Sequence, residues 1–204
     1  MTAEPFRESV RTLLRERLFD AAAGVFADEG WRRLTMAKVA DRAGVSRQTV
    51  YNEFGNKQQL AEQLVMRELD TFLAVVRRSF EGEPDFVRAV RSALEGALRA
   101  AEENALLRVV LGSGHSGDNE LLPFITQSQG LIDRATEFLV AEVDGSFPDL
   151  PVPHDRLVVA LESVVRLVLS HITRPSAPVE RTAEDLGWLV ATVFIGVAVA
   201  DQHP

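Results

Sequence analysis

Three consecutive polar residues, Arg47, Gln48 and Thr49, have side chains suited to reading the edges of nucleic-acid bases. An Arg guanidinium can donate two hydrogen bonds to guanine, a Gln amide pairs with adenine, and the methyl group of Thr contacts the methyl group of thymine. Tyr51 and Lys57 follow closely and add hydrogen-bond donors that suit phosphate oxygens. These residue types at this spacing predict a surface that binds DNA.

The segment that must position these residues reads as two short helices joined by a tight turn. Thr35 can cap a helix over residues 36–43, and Ser46 can cap a second one over residues 47–52. Gly44 lies where the turn requires a positive φ angle. The residues predicted to face inward are apolar: Val39, Ala40, Ala43, Val45, Val50 and Phe54. This pattern predicts a helix-turn-helix, whose second helix enters the major groove.

The charge of the chain is unevenly distributed. The formal net charge is −8, yet residues 1–60 carry ten Lys/Arg against eight Asp/Glu, which makes this segment +2 and leaves −10 for the rest. A basic segment on an acidic body orients a protein on a polyanion and keeps the remainder away from it. The distribution favours a nucleic-acid partner, with chance variation in a short segment as the alternative explanation.

The rest of the chain is also predicted to be helical. Apolar residues recur at spacings of three and four, and no run of alternating β-branched residues indicates a strand. In the first helix this apolar stripe includes Val10, Leu13, Leu18 and Phe26. Gly and Pro residues divide the chain into about nine helices, over residues 9–28, 36–43, 47–52, 57–80, 84–103, 105–111, 121–143, 154–172 and 183–202. The predicted fold class is all-α.

Over about residues 10–65 the sequence resembles the TetR family of bacterial repressors. The family pattern has a Gly after a long first helix, a Thr that opens the second, Ala-Gly-Val before the third, a Tyr-x-x-Phe pair, and a Lys that opens the fourth. The matching residues are Phe26, Gly30, Thr35, Val39, Ala40, Ala43, Gly44, Val45, Ser46, Val50, Tyr51, Phe54, Lys57 and Leu60. Because many positions agree in order and spacing, the resemblance is specific.

The resemblance implies a helix-turn-helix DNA-binding domain over residues 1–56 and a larger helical ligand-binding and dimerisation domain over residues 57–204. It implies that Thr35, Tyr51 and Lys57 contact phosphates, while Arg47, Gln48 and Thr49 are the candidates for reading bases. The full set of predicted DNA-binding residues is Thr35, Ser46, Arg47, Gln48, Thr49, Tyr51, Asn52 and Lys57. The expected activity is that of a repressor that binds an inverted-repeat operator as a dimer, with an activator as the alternative.

The last two helices are the predicted homodimer interface. Residues 186–200 are apolar on nearly every side, which indicates burial against more than one partner. Small residues that allow close helix approach are Gly187, Ala191, Gly196, Ala198 and Ala200. The preceding helix has one largely apolar side, formed by Leu157, Leu161, Val164, Val168 and His171. The alternatives are an internal core helix and a membrane span, and the length disfavours the span, because fifteen residues are fewer than the roughly 20 that cross a bilayer.

Large apolar residues in the second domain are the basis for a predicted ligand pocket. The candidate lining residues are Phe72, Leu107, Val110, Phe124, Phe138 and Leu161, and ordinary core packing is the alternative explanation for each. Such a lining favours a long-chain acyl compound or another lipid-like molecule. The segment SRQTVYNEFG also resembles a subgroup of actinobacterial regulators tied to lipid or alkane metabolism. A DNA-binding regulator without a small-molecule inducer, controlled by a protein partner, is the alternative.

Other classes of protein are disfavoured by what the sequence lacks. The absence of Cys excludes disulfides, thiolate metal sites and a Cys nucleophile. We find no nucleophile elbow, phosphate-binding Gly loop or metal-ligand spacing, so we expect no enzymatic activity, no cofactor and no metal site. The segment MTAEPFRES lacks the apolar core of a signal peptide. We therefore expect a cytoplasmic protein that does not contact membranes.

Overall fold

The structure, a computed structural model, describes residues 4–104, 107 and 129–200, and for residues 4–7 and 195–200 it describes the backbone alone. These residues form eight α-helices and no β-strand, which confirms the all-α prediction. The helices are α1 (Glu4–Glu29), α2 (Met36–Ala43), α3 (Arg47–Phe54), α4 (Lys57–Phe80), α5 (Phe86–Glu103), α6 (Gln129–Ser146), α7 (His154–Thr173) and α8 (Val179–Ala200). Apart from Leu107, the helix predicted over residues 105–111 lies outside the described residues, as does the start of the one predicted over 121–143.

The described residues divide into two compact units. The N-terminal unit contains residues 4–66 and Leu107, and the C-terminal unit contains residues 67–104 and 129–200. Helix α4 contributes residues to both units. The predicted domain boundary between residues 56 and 57 stays a prediction.

The N-terminal unit is a three-helix arrangement closed by the first turns of α4. Its largest fully buried side chains come from all of these elements and from the turn after α1: Leu18, Phe26, Leu34, Val39, Val50 and Leu60. Ala40 and Ala43 are also buried, and their small side chains allow a neighbouring helix to pass close to α2. This core holds α2 and α3 in a helix-turn-helix.

Local sequence signals begin both short helices and end α2 as predicted, whereas α3 continues to Phe54, two residues beyond its predicted end. The Thr35 side chain accepts a hydrogen bond from the backbone N–H of Lys38 at the start of α2, and the Ser46 side chain accepts one from Thr49 at the start of α3. Gly44 adopts a left-handed conformation with φ of 68°, which a side chain would strain. Its backbone N–H lies within hydrogen-bonding distance of the carbonyl oxygens of Ala40 and Asp41. The last carbonyl groups of α2 therefore have a hydrogen-bond donor where the turn begins.

The N-terminal half of α1 differs from the prediction. Val10 and Leu13 are 48% and 71% exposed, although the sequence predicts them in the buried stripe. The buried residues of α1 are Leu18, Phe19, Ala21, Ala22, Val25 and Phe26, all in its C-terminal half. Periodicity indicates that residues share a face of a helix, but it does not reveal whether another element covers that face.

Two helices of the C-terminal unit start elsewhere than predicted. Helix α5 begins at Phe86 rather than at Pro84, because the Asp85 carboxylate accepts a hydrogen bond from the N–H of Arg88 and caps the helix. Helix α8 begins at Val179, four residues earlier than predicted, because the Thr182 N–H already bonds to the carbonyl of Pro178. In both cases a hydrogen bond near the start of the helix decides where it begins.

The core of the C-terminal unit joins α5 and α8 with α6 and α7. Its buried members include Ala89, Ala93, Leu94, Val143, Leu157, Leu161, Ala183, Leu186, Val190 and Phe194. The ring of Phe86 lies 4.8 Å from that of Phe194 and 5.3 Å from that of Phe147, measured between centroids. None of the described helices combines the length and the apolar character that crossing a membrane requires.

Helix α7 exposes a different side from the one predicted to form the dimer. Leu157 and Leu161 are buried in the core, and Val164 and Val168 pack against it. Among the described side chains of α7 and α8, the large apolar residues that are exposed are instead Val159, Leu167, Trp188, Leu189 and Val193, which we call the exposed apolar face. These five side chains are exposed in the single chain, whereas the side of α7 that the sequence predicts for the dimer packs within it.

Gly187 on α8 also has a different role from the one predicted. A Cβ atom added at Gly187 would lie 3.6 Å from the Cβ atom of Arg91 on α5. Gly187 is therefore directed at α5 of the same chain. The side chains of residues 195–200, which include three of the small residues singled out for close approach, lie outside the described residues.

Candidate nucleic-acid interface

Helix α3 has one buried and one exposed side. Val50 is 0% exposed and Phe54 is 2% exposed, so both anchor the helix in the core of the N-terminal unit. The opposite side presents polar residues to solvent: Arg47, Gln48, Tyr51 and Asn52. Thr49 lies between the two sides and is half-buried. The structure thus places the predicted base-reading residues on a surface that a DNA groove can approach.

A guanidinium of α1 holds the C-terminal half of α3 in place. Arg15 Nη1 donates to Glu53 Oε1 at 2.7 Å, and its other nitrogen donates to the side chain of Gln63 on α4. The same guanidinium lies 5.4 Å and 5.6 Å from the ring centroids of Phe19 and Phe54. Arg15 therefore links α1, α3 and α4 through charge-assisted hydrogen bonds to Glu53 and Gln63 and through contacts with the rings of Phe19 and Phe54.

The sequence alone does not predict this cluster of contacts. Arg11 Nε also lies 3.4 Å from Glu53 Oε2, so two arginines one helical turn apart on α1 share one carboxylate. The Glu53 side chain is only 9% exposed, and its burial requires such compensation. The spacing of Arg11 and Arg15 indicates that both side chains lie on one face of α1. It does not identify their partner Glu53, which lies 38 residues away from Arg15 along the chain.

The hydroxyl groups at the start of α3 interact with each other. Ser46 Oγ lies 2.9 Å from Thr49 Oγ1 and accepts the backbone N–H of Thr49 at 3.1 Å. Ser46 thus caps α3, and its hydroxyl is already hydrogen-bonded to Thr49 in the chain without DNA. The methyl group of Thr49, which the sequence analysis assigned to thymine, takes no part in these bonds.

Two amide side chains on the exposed side of α3 form a pair. Gln48 Nε2 donates to Asn52 Oδ1 at 2.7 Å, across one turn of the helix. Both residues are exposed. The sequence analysis selected both residues for DNA binding but did not predict this bond.

Arg47 and Tyr51 have unengaged polar groups. Tyr51 is 49% exposed, and neither it nor Arg47 forms a hydrogen bond or an ion pair with another residue of the described chain. A guanidinium and a phenol that are already exposed and unpaired lose few interactions when they meet phosphates or bases. They are the predicted contacts that DNA can recruit at the lowest cost.

Lys57 is more constrained than the sequence suggests. Its Nζ atom donates to the carbonyl oxygen of Trp31 at 2.6 Å and lies 4.1 Å from the centroid of the Trp31 ring. Lys57 is half-buried, and Trp31 is 6% exposed. This contact brings the start of α4 to the turn after α1, so Lys57 has a structural role beside the predicted phosphate contact.

The basic residues of α2 are paired with acidic residues of α1. Lys38 forms an ion pair with Glu29, and Arg42 forms one with Asp28. All four side chains are at least one-third exposed, so each pair contributes little to stability. The pairs nevertheless reduce the positive potential of α2, whereas Arg47 on α3 keeps its charge without a partner in the described chain.

The structure describes four of the six predicted pocket residues. Leu107 and Leu161 are buried, while Phe72 and Phe138 are half-buried. Phe138 and Leu161 belong to the same core, and the guanidinium of Arg77 lies 5.0 Å from the Phe138 ring. Val110 and Phe124 lie outside the described residues. The pocket stays a prediction.

Comparison with family models matches both parts of the chain. Residues 18–64 match the model of bacterial regulatory proteins of the tetR family, which covers α2, α3, the C-terminal part of α1 and the start of α4. Residues 85–192 match the model of the bacterial tetracyclin repressor C-terminal domain. The second match covers more than half of the chain and includes α5, α6, α7 and the first part of α8.

Individual relatives agree with these models. The HTH-type transcriptional regulator AlkX of Mycobacterium tuberculosis H37Rv is 30% identical over 190 residues, which are 91% of this chain and 87% of that protein. The crystal structure of AlkX from Dietzia sp. strain DQ12-45-1b, a TetR-family repressor implicated in biodegradation of n-alkanes, has a TM-score of 0.75 at 28% identity and covers 89% of this chain and 95% of that one.

A third relative matches over a shorter segment. The HTH-type transcriptional activator FasR of Mycolicibacterium smegmatis is 35% identical over 81 residues, which are 40% of this chain and 37% of that protein. The family models and the AlkX match extend over both units. The exposed polar side of α3 is the surface expected of a helix-turn-helix regulator. The chain therefore belongs to the TetR family and is a DNA-binding transcriptional regulator, not an enzyme.

Proposed function

We propose that this regulator is a repressor that binds an inverted-repeat operator as a homodimer and leaves it when a small apolar ligand binds. The observation that carries the DNA part is the exposed side of α3, where Arg47 and Tyr51 are unpaired within the described chain. In this assignment Arg47, Gln48 and Thr49 read bases, while Thr35, Tyr51 and Lys57 contact phosphates. Ser46 and Asn52 complete the surface. We place the boundary of the DNA-binding domain at the start of α4, between residues 56 and 57.

The homodimer is proposed to form through the exposed apolar face. Trp188 is 70% exposed and Val159 is 59% exposed, which is unusual for large apolar side chains on well-packed helices. A two-fold axis brings the same patch of each copy together, so one self-complementary face is sufficient. Two copies of α3 then reach successive major grooves about 34–36 Å apart on one side of the duplex.

The ligand is proposed to be long-chain and apolar. The candidate lining residues are large and apolar, and the AlkX repressor from Dietzia is implicated in biodegradation of n-alkanes. A ligand shifts the regulator off DNA only if it prefers the DNA-free shape. We therefore expect long-chain fatty acids or their acyl esters to release the operator, and short-chain homologues to leave it bound.

The direct test is titration of the purified protein into a fluorescent duplex from its own upstream region. We expect saturable binding by one dimer per inverted repeat, an affinity that falls steeply with salt, and weaker binding to a shuffled duplex. Long-chain fatty acids are then added to the complex, with short-chain acids as the control. Equal binding to native and shuffled duplexes would contradict the operator assignment, and release by neither class of acid would contradict the ligand assignment.

Removing the Tyr51 hydroxyl is expected to weaken binding to every duplex alike. The Tyr51→Phe variant should lose about threefold to tenfold in affinity, because one hydrogen bond to a phosphate is lost. Its salt dependence should match that of the wild type, since no charge is removed. Fluorescence anisotropy with native and shuffled duplexes measures both quantities.

The control for Tyr51→Phe is Thr71→Val, which removes an exposed hydroxyl that bonds only within α4. It should bind DNA like the wild type. A change in the ratio of native to shuffled affinity in Tyr51→Phe would show that Tyr51 reads a base instead.

A further inference from the structure

The pair formed by Gln48 and Asn52 suggests how the reading surface of α3 is organised. Gln48 Nε2 donates to Asn52 Oδ1 at 2.7 Å, and both side chains lie on the side of α3 opposite the buried Val50 and Phe54. A Gln amide has one carbonyl oxygen and two N–H groups. One N–H lies beside the carbonyl oxygen and the other points away from it.

Recognition of adenine needs only part of that amide. In the bidentate arrangement the carbonyl oxygen accepts from the adenine N6 amino group, and one N–H donates to N7. The geometry requires the N–H beside the carbonyl, so the second N–H of Gln48 is available for Asn52. The bond to Asn52 and a bidentate contact with adenine are therefore compatible.

We propose that Asn52 is a positioning residue that orients the Gln48 amide for adenine. This inference rests on the proposed function, in which Gln48 reads a base. A Gln side chain has three rotatable bonds, and fixing it at an interface costs conformational entropy. The bond to Asn52 restricts the last of these rotations before DNA arrives.

The neighbouring polar groups leave Asn52 as the available partner. The Thr49 hydroxyl is bonded to Ser46, and the Glu53 carboxylate is bonded to Arg15. An exposed pair at this spacing adds little to the stability of a helix. Its effect is therefore expected on base preference and not on folding.

The test is a double-mutant cycle measured on base preference. A duplex is first selected from a random pool by the wild-type protein, and each position is then replaced by the other three base pairs. Gln48→Ala should lower the preference for A·T at one base pair by about fivefold to a hundredfold. Asn52→Ala should lower it at the same base pair by about threefold. The double variant should match Gln48→Ala within about twofold, because the effect of Asn52 passes through Gln48.

A conservative variant of Asn52 and a control pair with the same spacing on α6 test whether the effect on base preference is specific. Asn52→Asp keeps the acceptor oxygen, so the preference at that base pair should be retained even though the added negative charge lowers affinity for all duplexes. Gln129 Nε2 donates to Asp133 Oδ1 at the same 2.7 Å and the same spacing on α6. The variants Gln129→Ala and Asp133→Ala should leave base preference unchanged.

Three outcomes would overturn the inference. They are an Asn52→Ala variant with unaltered preference at the Gln48 base pair, an effect of Asn52→Ala at a different base pair, and additive effects in the double variant. A wild-type protein that selects no sequence from the pool would instead contradict the proposed function. Circular dichroism confirms that each exposed-residue variant is folded.

Discussion

The Trp188→Glu variant is expected to be a monomer that binds its operator about a hundredfold more weakly than the wild type. Trp188 is 70% exposed, so the change leaves the fold of one chain intact. In the proposed dimer, however, it places two carboxylates in an apolar interface, where burial of unpaired charge is unfavourable. The second DNA-binding unit is then no longer held at high effective concentration near its half-site.

Light scattering coupled to size-exclusion chromatography measures the mass, and anisotropy measures the affinity. The matched control is Val87→Glu, because Val87 is a 42% exposed apolar residue of the same unit on α5. It should remain dimeric and bind DNA normally. A dimeric Trp188→Glu with full operator affinity would show that the homodimer forms through another surface.

The Phe54→Ala variant is expected to unfold the N-terminal unit and to abolish operator binding. Phe54 is 2% exposed, its ring lies 5.0 Å from that of Phe19, and the Arg15 guanidinium packs over it. Removal of a buried Phe ring costs about 3–5 kcal/mol of stability, through lost burial and the cavity that remains. That cost is a large fraction of the stability of a small domain.

The two Trp residues of the chain allow this effect to be localised. Trp31 is buried in the N-terminal unit, whereas Trp188 is exposed in the C-terminal unit. In a Trp188→Phe background, Phe54→Ala should shift the Trp31 emission to the red and lower the denaturant midpoint. Leu13→Ala removes a 71% exposed side chain from the same unit and should stay within about 0.5 kcal/mol of the wild type. An unchanged midpoint in Phe54→Ala would contradict the packing described for α3.

The candidate site was predictable from sequence as a set of residues but not as a network. Arg47, Gln48, Tyr51 and Asn52 are exposed, as their position opposite Val50 and Phe54 indicates. The Gln48–Asn52 bond also follows a local rule, because residues four apart on a helix are neighbours. The sequence therefore contains the information for this bond as well as for the exposure of both side chains.

The contacts of Lys57 and Glu53 could not be predicted from any local spacing rule. Lys57 holds the carbonyl of Trp31, 26 residues away, and Glu53 holds Arg15, 38 residues away. No spacing rule links such residues, since their proximity depends on how α1, α3 and α4 pack. The role of Lys57 therefore extends beyond the phosphate contact that the sequence suggested.

The helix-turn-helix was determined by the sequence itself, because its signals act within four residues. Thr35 and Ser46 cap backbone N–H groups three positions ahead, and Gly44 alone allows the turn its positive φ angle. Tertiary structure decided which apolar faces are covered. Val10 and Leu13 share a stripe with buried residues yet face solvent, while Val164 of the predicted dimer side packs against the core. Helical periodicity defines a face within one helix, but the burial of that face depends on the elements that pack against it.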